Sequence, residues 1–206
     1  MTIQKNKTTI AGVVLAGGRA TRMGEQDKGL ILFKNQPLIS YALEALSSVC
    51  QRTYINANRN LIAYKEFGLV VICDQTQSFD GPLAGILTTL LHTDTDTDTD
   101  TDNEVLVVMP CDTPFFKAEH LQRLLDTRAE HDADIAIAFD GGQLHPLFLA
   151  LKTSLAENLQ GYLASGQRKV ADWLRPLKSV TVDFSDEPKI FTNINTSDEL
   201  AVLEAQ

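Results

Sequence analysis

Seven short apolar runs, separated by longer stretches with the spacing of amphipathic helices, constrain the fold of this chain more than any other feature. The runs cover 10–15, 52–57, 69–73, 104–109, 134–139, 146–151 and 180–184. Val13, Val14 and Leu15 are unbroken by a polar residue, as are 105–109, which is the pattern of strands buried on both faces. Helical spacing fills the gaps at 37–49, 85–91, 118–130, 155–164 and 170–173. The alternation predicts an α/β fold of three layers, a mostly parallel sheet with helices on both faces. The clearest helix is 37–49: Pro37 suits a start where its missing N–H costs little, and Leu38, Ala42, Ala45 and Val49 form one apolar stripe. A last helix is expected after Thr196, whose T-x-x-E spacing with Glu199 is that of a capping box. At 206 residues with no convincing linker, a single domain over 1–206 is expected.

One segment cannot join such a core. Residues 93–102 are an uninterrupted Thr-Asp repeat with five carboxylates and no apolar side chain, so a solvated loop is predicted there. The repeat lacks the glycine and the ligand spacing of a calcium loop.

Charge and cysteine usage narrow the function classes. A formal net charge of −9 argues against a general nucleic-acid binder, since phosphate backbones are held mainly by excess lysine and arginine. Against that acidic background, Arg19, Arg22 and Lys28 fall within ten residues of one another, enough to make one cleft attractive to a small anion. Cys50, Cys73 and Cys111 stand far apart with no C-x-x-C pair, so buried free thiols are expected rather than a disulfide framework or a zinc site. No apolar run approaches the ~18 residues of a membrane span, and MTIQKNKTTIAG lacks the apolar stretch of a signal peptide. No membrane association and a cytoplasmic location are expected.

The run at 10–15 leads straight into Ala16-Gly17-Gly18, where an α/β sheet places its ligand, at the carboxyl end of a strand. Glycines there let backbone N–H groups approach phosphate oxygens with no Cβ in the way. The spacing is neither G-x-x-x-x-G-K-[ST] nor G-x-G-x-x-G. Arg22 and Lys28 follow at distances that let the loop fold back over a polyphosphate. A second strand end carries Pro110-Cys111-Asp112-Thr113-Pro114. Asp112 reads either as a single-carboxylate ligand for Mg2+ or as a turn residue capping the helix near Ala118.

Weaker signals follow. The glycines of Asp80-Gly81-Pro82-Leu83-Ala84-Gly85 allow close backbone approach, here to a base or ribose. Asn56, Asn58 and Asp74 also sit at strand ends, where each taken alone is more often a loop residue. His145, after Gly141-Gly142, is either a second-substrate contact or a hairpin residue. His92, His120 and His131 have no partners at ligand spacing and are read as surface residues, and no His–Asp pair stands out among the motifs. Met23 and Trp173 are read as core or loop-anchoring residues.

Together the motifs resemble the molybdenum cofactor guanylyltransferases, a nucleotidyltransferase family that attaches GMP to molybdopterin. The resemblance runs from Ile10 to about Leu200. LAGGRATRMG with DKG is common to many nucleotidyltransferases. The narrower agreement lies in INANRN at 55–60, GPLAG at 81–85, PCDTP at 110–114, HPL at 145–147, VDFSD at 182–186 and FTNINTSDEL at 191–200. The Thr-Asp repeat departs from the family pattern without touching a motif.

The resemblance implies a Rossmann-like nucleotidyltransferase fold with a nucleotide-binding N-terminal half and a molybdopterin-facing C-terminal half. Leu15, Ala16, Gly17, Lys28, Asn56, Asp74 and Asp112 would contact GTP, with Gly18 and Gly81 beside them and Asp112 also holding Mg2+. Arg22, Lys28 and Asp112 would form the catalytic set. His145, Asn193 and Asn195 would face molybdopterin. Other proteins of molybdenum cofactor biosynthesis are expected as partners. Transfer of CMP to molybdopterin, or of a nucleotide to a sugar phosphate, is the nearest rival, because the phosphate loop sees only the triphosphate. A non-catalytic nucleotide-binding module on the same fold is the alternative from another class.

Overall fold

Alternate residues of the first strand, β1 (Thr9–Leu15), enter two different cores. Val14 packs with one set of helices, and Ala11 and Val13 pack with another. This is what a period-2 strand does when both sheet faces are covered. The structure is a computed structural model that describes residues 9–17, 27–74, 81–95, 103–195 and 197–204.

Beyond β1 come a hairpin of β2 (Leu32–Phe33) and β3 (Gln36–Pro37), then α1 (Leu38–Ser47), β4 (Arg52–Asn56), α2 (Leu61–Lys65) and β5 (Val70–Ile72). There follow α3 (Pro82–Thr95), β6 (Asn103–Pro110), α4 (Ala118–Glu130), β7 (Ile135–Phe139) and β8 (Leu144–Lys152). The chain continues through α5 (Ala156–Ala164), α6 (Val170–Leu174), β9 (Ser179–Asp183) and α7 (Ser197–Glu204). Among the described residues the main sheet has the order β5-β4-β1-β6-β8-β7-β9, with β8 alone antiparallel to its neighbours.

The fold is therefore α/β with a mostly parallel sheet, and residue parity explains its layers. Val105, Val107 and Met109 of β6 face α1 and α4, whereas Leu106 and Val108 face α3, α5 and α6. The close seat of α1 on β1 depends on Gly12, where a Cβ would meet Cys50 Sγ at 2.8 Å and Leu46 Cδ2 at 2.9 Å. Trp173 is a core residue of the second cluster, its indole N–H donating to Asn158 Oδ1 at 2.9 Å.

Several expectations need correction. The short α2 was not expected, since among its five residues only Tyr64 is buried and so short a segment shows no period. Helix α3 reaches Thr95, three residues into the Thr-Asp repeat. Thr93 is buried and its hydroxyl donates to Leu90 O at 2.7 Å, so the repeat does not begin as a loop; 96–102 lie outside the described residues. Cys111 is buried and Cys50 partly so, but Cys73 is exposed. His120 is buried, because its Nδ1 accepts from Lys117 N at 2.8 Å and helps to close the start of α4. Thr196 and Met23 fall outside the described residues, and Glu199 accepts from Asn195 N at 2.7 Å.

Candidate active site

The chain leaves β1 for α1 and β4 on one side, and only later returns to lay β6 on the other. The carboxyl ends of β1 and β6 thus flank a topological switch point, the place where an open α/β sheet forms its ligand crevice. A cavity of about 630 Å3 opens there.

Leu15, Ala16 and Gly17 form its floor. Ala16 N donates to Asn56 O at 2.8 Å, which carries the strand register past the end of β1. A Cβ on Gly17 would come to 3.2 Å from Asn58 Nδ2, so the glycine lets the floor lie close to the neighbouring loop. Gly18 and Arg22 lie outside the described residues. The chain is described again at Asp27, and Lys28 projects across the cavity: its Nζ donates to Asp112 Oδ2 at 3.1 Å and to Asn195 Oδ1.

Asp112 does not cap α4, whose N-cap is Lys117. Its carboxylate, 16% exposed, instead lines the cavity against Lys28. The Asp112 carbonyl also accepts from Ile194 N at 3.0 Å, and Ile194 is fully buried with Phe33 and Leu38. That anchor brings the flanking Asn193 to the cavity wall and Asn195 to Lys28.

On the β4–β5 side, Asn56 Nδ2 donates to Asp74 Oδ1 at 2.9 Å and Asn58 Nδ2 to Asp74 Oδ2 at 2.7 Å. Asp74 N returns a bond to Asn58 Oδ1 at 2.8 Å. Asn58 is therefore part of the site and not a mere loop residue. Gly85 sits behind this trio, and a Cβ there would fall on the Asn56 side-chain oxygen. The close approach that Gly85 permits is thus by Asn56, not by a ligand as the sequence suggested. Gly85→Ala is expected to cost about 1–3 kcal/mol of stability through overpacking, and to weaken nucleotide binding as Asn56 moves. A thermal melt and a nucleotide titration check this; wild-type values in both would contradict it.

The opposite wall is apolar and aromatic, formed by Pro146, Leu147, Phe148 and Phe191 with His145. The His145 ring stacks on Phe191 at 3.8 Å between centroids and 4° between planes. It is also paired: His145 Nε2 lies 2.7 Å from Asp140 Oδ2, a His–Asp pair that sequence reading missed because the β7–β8 hairpin brings its members together. Asp140 Oδ1 accepts from Gly142 N and Gln143 N, both at 2.8 Å. The His145 bond foremost, then the two backbone N–H groups, lower the Asp140 carboxyl from its ordinary 3.8 to about 2.

A depressed carboxyl stabilises the fold above its ordinary pKa and loses that effect as pH falls through the folded value. The melting-temperature advantage of wild type over Asp140→Asn is therefore expected to be full above about pH 4 and to shrink towards pH 2. An advantage unchanged over that interval would contradict the assignment.

Of the residues expected from the sequence, Leu15, Ala16, Gly17, Lys28, Asn56, Asp74, Gly81, Asp112, His145 and Asn193 line this one cavity. Asn195 stands behind it, bonded to Lys28. Asp27, Asn58, Thr113, Phe148 and Phe191, none of which sequence reading singled out by itself as a contact, also line it. Thr113 is buried, and its hydroxyl is without a hydrogen-bond partner among the described residues.

The family model of the MobA-like NTP transferase domain matches residues 12–181, which takes in both strand-end motifs and the HPL wall. The chain belongs to that family. This NTP transferase is 39% identical over 191 residues to the molybdenum cofactor guanylyltransferase of Shewanella piezotolerans, covering 93% of this chain and 90% of the relative. It is 39% identical over 197 residues to the protein of the same name from Shewanella frigidimarina, covering 96% of each. Among solved structures it resembles molybdopterin-guanine dinucleotide biosynthesis protein A from Archaeoglobus fulgidus, with a TM-score of 0.75, 26% identity, and coverage of 95% of this chain and 97% of that one. A 4-diphosphocytidyl-2C-methyl-D-erythritol synthase from Anaerococcus prevotii shares the fold at 13% identity, with a TM-score of 0.71 over 96% of this chain and 95% of that one. The protein is a nucleotidyltransferase, and no helix of its described residues is long and apolar enough to cross a membrane.

Proposed function

We propose that the enzyme transfers GMP from GTP to molybdopterin or its molybdenum-loaded form, giving the guanine dinucleotide cofactor and pyrophosphate. The observation that carries this reading is a single cavity with two unlike walls that meet at the Lys28–Asp112 pair. The glycine floor and the Asn56–Asp74 side suit a nucleoside triphosphate. The His145–Phe191 stack suits a flat heteroaromatic acceptor, with Asn193 beside it to hydrogen-bond.

In this reading an acceptor phosphate oxygen forms a bond to the α-phosphorus of GTP, and the bond from that phosphorus to the β-phosphate oxygen breaks. A phosphate monoester is already ionised near pH 7, so the His145–Asp140 pair is not needed as a base. Its role here is to hold the acceptor. Lys28 and Arg22 neutralise the charge that builds on the leaving pyrophosphate.

Asp112 would hold Mg2+. Among the described residues no group of three or more His, Cys, Asp or Glu side chains could hold a metal. One cavity-facing carboxylate is nonetheless a suitable donor set for this ion, which keeps several waters and completes its shell with substrate phosphates. When bound, Mg2+ supplies charge neutralisation to the phosphates. We place the reaction in the cytoplasm, with other proteins of cofactor biosynthesis delivering the acceptor and collecting the product.

Pyrophosphate release with GTP or CTP, each with and without molybdopterin, tests the reading. Release with GTP only when molybdopterin is present is expected. Preference for CTP would favour the cytidylyl rival, and GTP binding without turnover would favour a non-catalytic module.

A further inference from the structure

Asp27, immediately before Lys28, is 6% exposed, and both of its carboxylate oxygens are engaged by α2 and the turn leading into it. The Tyr64 hydroxyl donates to Oδ1 and Asn60 Nδ2 donates to Oδ2 at 3.2 Å, while Gly29 N reaches Oδ1 at 3.4 Å. Two backbone features serve this arrangement. Asn60 adopts φ +50° and ψ +34°, a left-handed conformation that asparagine tolerates and that sets its amide at the start of α2. Gly29 is buried where a Cβ would meet the Tyr64 hydroxyl oxygen at 2.6 Å, so no larger residue fits without moving the phenol. Burial above all, with the hydrogen bond to Asp27 adding to it, pushes the Tyr64 phenol above its ordinary range and keeps it a donor.

We infer that Asp27 is a positioning residue, pinned by Tyr64 and Asn60, whose task is to fix the base of Lys28 so that its ammonium crosses the cavity to Asp112 and Asn195. The inference rests on the cavity being a GTP site. A lysine stem has four rotatable bonds, and a loop that is fixed only at its tip would spread the ammonium over many positions. The clamp removes that freedom at the backbone. It also gives α2 a function beyond the core that Tyr64 and Leu61 join: its five residues carry the tyrosine, with Asn60 at their N-cap.

The test is a double-mutant cycle read in GTP affinity by calorimetry and in single-turnover kcat/KM, with Tm recorded alongside. Tyr64→Phe removes the hydroxyl and keeps the ring; Asn60→Gly removes the amide and keeps the left-handed backbone accessible. In the wild-type background Tyr64→Phe is expected to lower kcat/KM for GTP about ten-fold, with a smaller fall for Asn60→Gly. In a Lys28→Ala background the same changes are expected to alter the residual rate less than about two-fold.

Equal falls in both backgrounds, or no fall in the wild-type background, would overturn the inference and leave a merely structural role. If Tyr64→Phe does not fold, Asn60→Gly decides alone by the same criterion. Wild-type protein that fails to bind GTP would instead overturn the reading of the cavity, and this inference with it.

Discussion

Asp112→Ala is expected to abolish turnover while the fold persists. The carboxylate stands at the carboxyl end of β6, lines the cavity, and has Lys28 Nζ at 3.1 Å as its side-chain partner. On the proposed reading, its removal takes away the oxygen that would hold Mg2+ and the counter-charge that orients Lys28. Loss of one preorganised electrostatic group at a transition state typically costs about 10²–10³-fold in rate, and here two functions go together, so a larger loss is expected. Stability should change little. The pair is partly exposed, 30% at Lys28 and 16% at Asp112, and such ion pairs contribute about 0–1 kcal/mol. The local backbone is held independently through the Asp112 carbonyl and Ile194 N. Turnover measured over a Mg2+ titration, beside a thermal melt, checks both halves. Wild-type turnover at limiting Mg2+ would remove the metal assignment, and a collapsed melt would make the residue structural.

Lys28→Ala should follow closely, with a severe fall in kcat/KM for GTP. The ammonium is bonded to one carboxylate oxygen and one amide oxygen from different parts of the chain, so it ties the β6 end to the FTNINT segment as well as facing the cavity. Lys28→Arg is not expected to rescue it. The two acceptors suit a compact ammonium, whereas a guanidinium is a planar fork that would have to displace one of them. Kinetics of Lys28→Ala and Lys28→Arg at saturating molybdopterin measure this. Full activity of Lys28→Arg would reduce the role of Lys28 to that of a simple positive charge.

The central strands were legible because they are buried on both faces and therefore read as unbroken apolar runs; β1 and β6 begin and end within a residue or so of expectation. Helix α4 shows its full length because Leu121, Leu124 and Leu125 repeat on one face. The two strand-end motifs were legible for a related reason: glycine and aspartate just past a buried strand have no place in a core.

What stayed hidden depends on contacts across sequence distance. Nothing in the spacing ties Asp27 to Tyr64, 37 residues on, and α2 is too short to carry a period. The antiparallel return of β8 was signalled only by Gly141-Gly142, and with a hairpin weighed merely as one reading of His145, the Asp140–His145 pair five residues apart went unseen. Gly85 was read as facing a ligand because a bare glycine does not say which neighbour needs the space. The aromatic wall joins Phe148 and Phe191 from distant segments, so only the folded chain brings them together.

Incubation with GTP labelled at the α-phosphate, with and without molybdopterin, tests the central claim most directly by following where the label goes. The account predicts label in a guanine dinucleotide product, with unlabelled pyrophosphate released in equal amount, and no product without the acceptor. Label recovered as free GMP or GDP, or a dinucleotide formed from CTP but not from GTP, would contradict it.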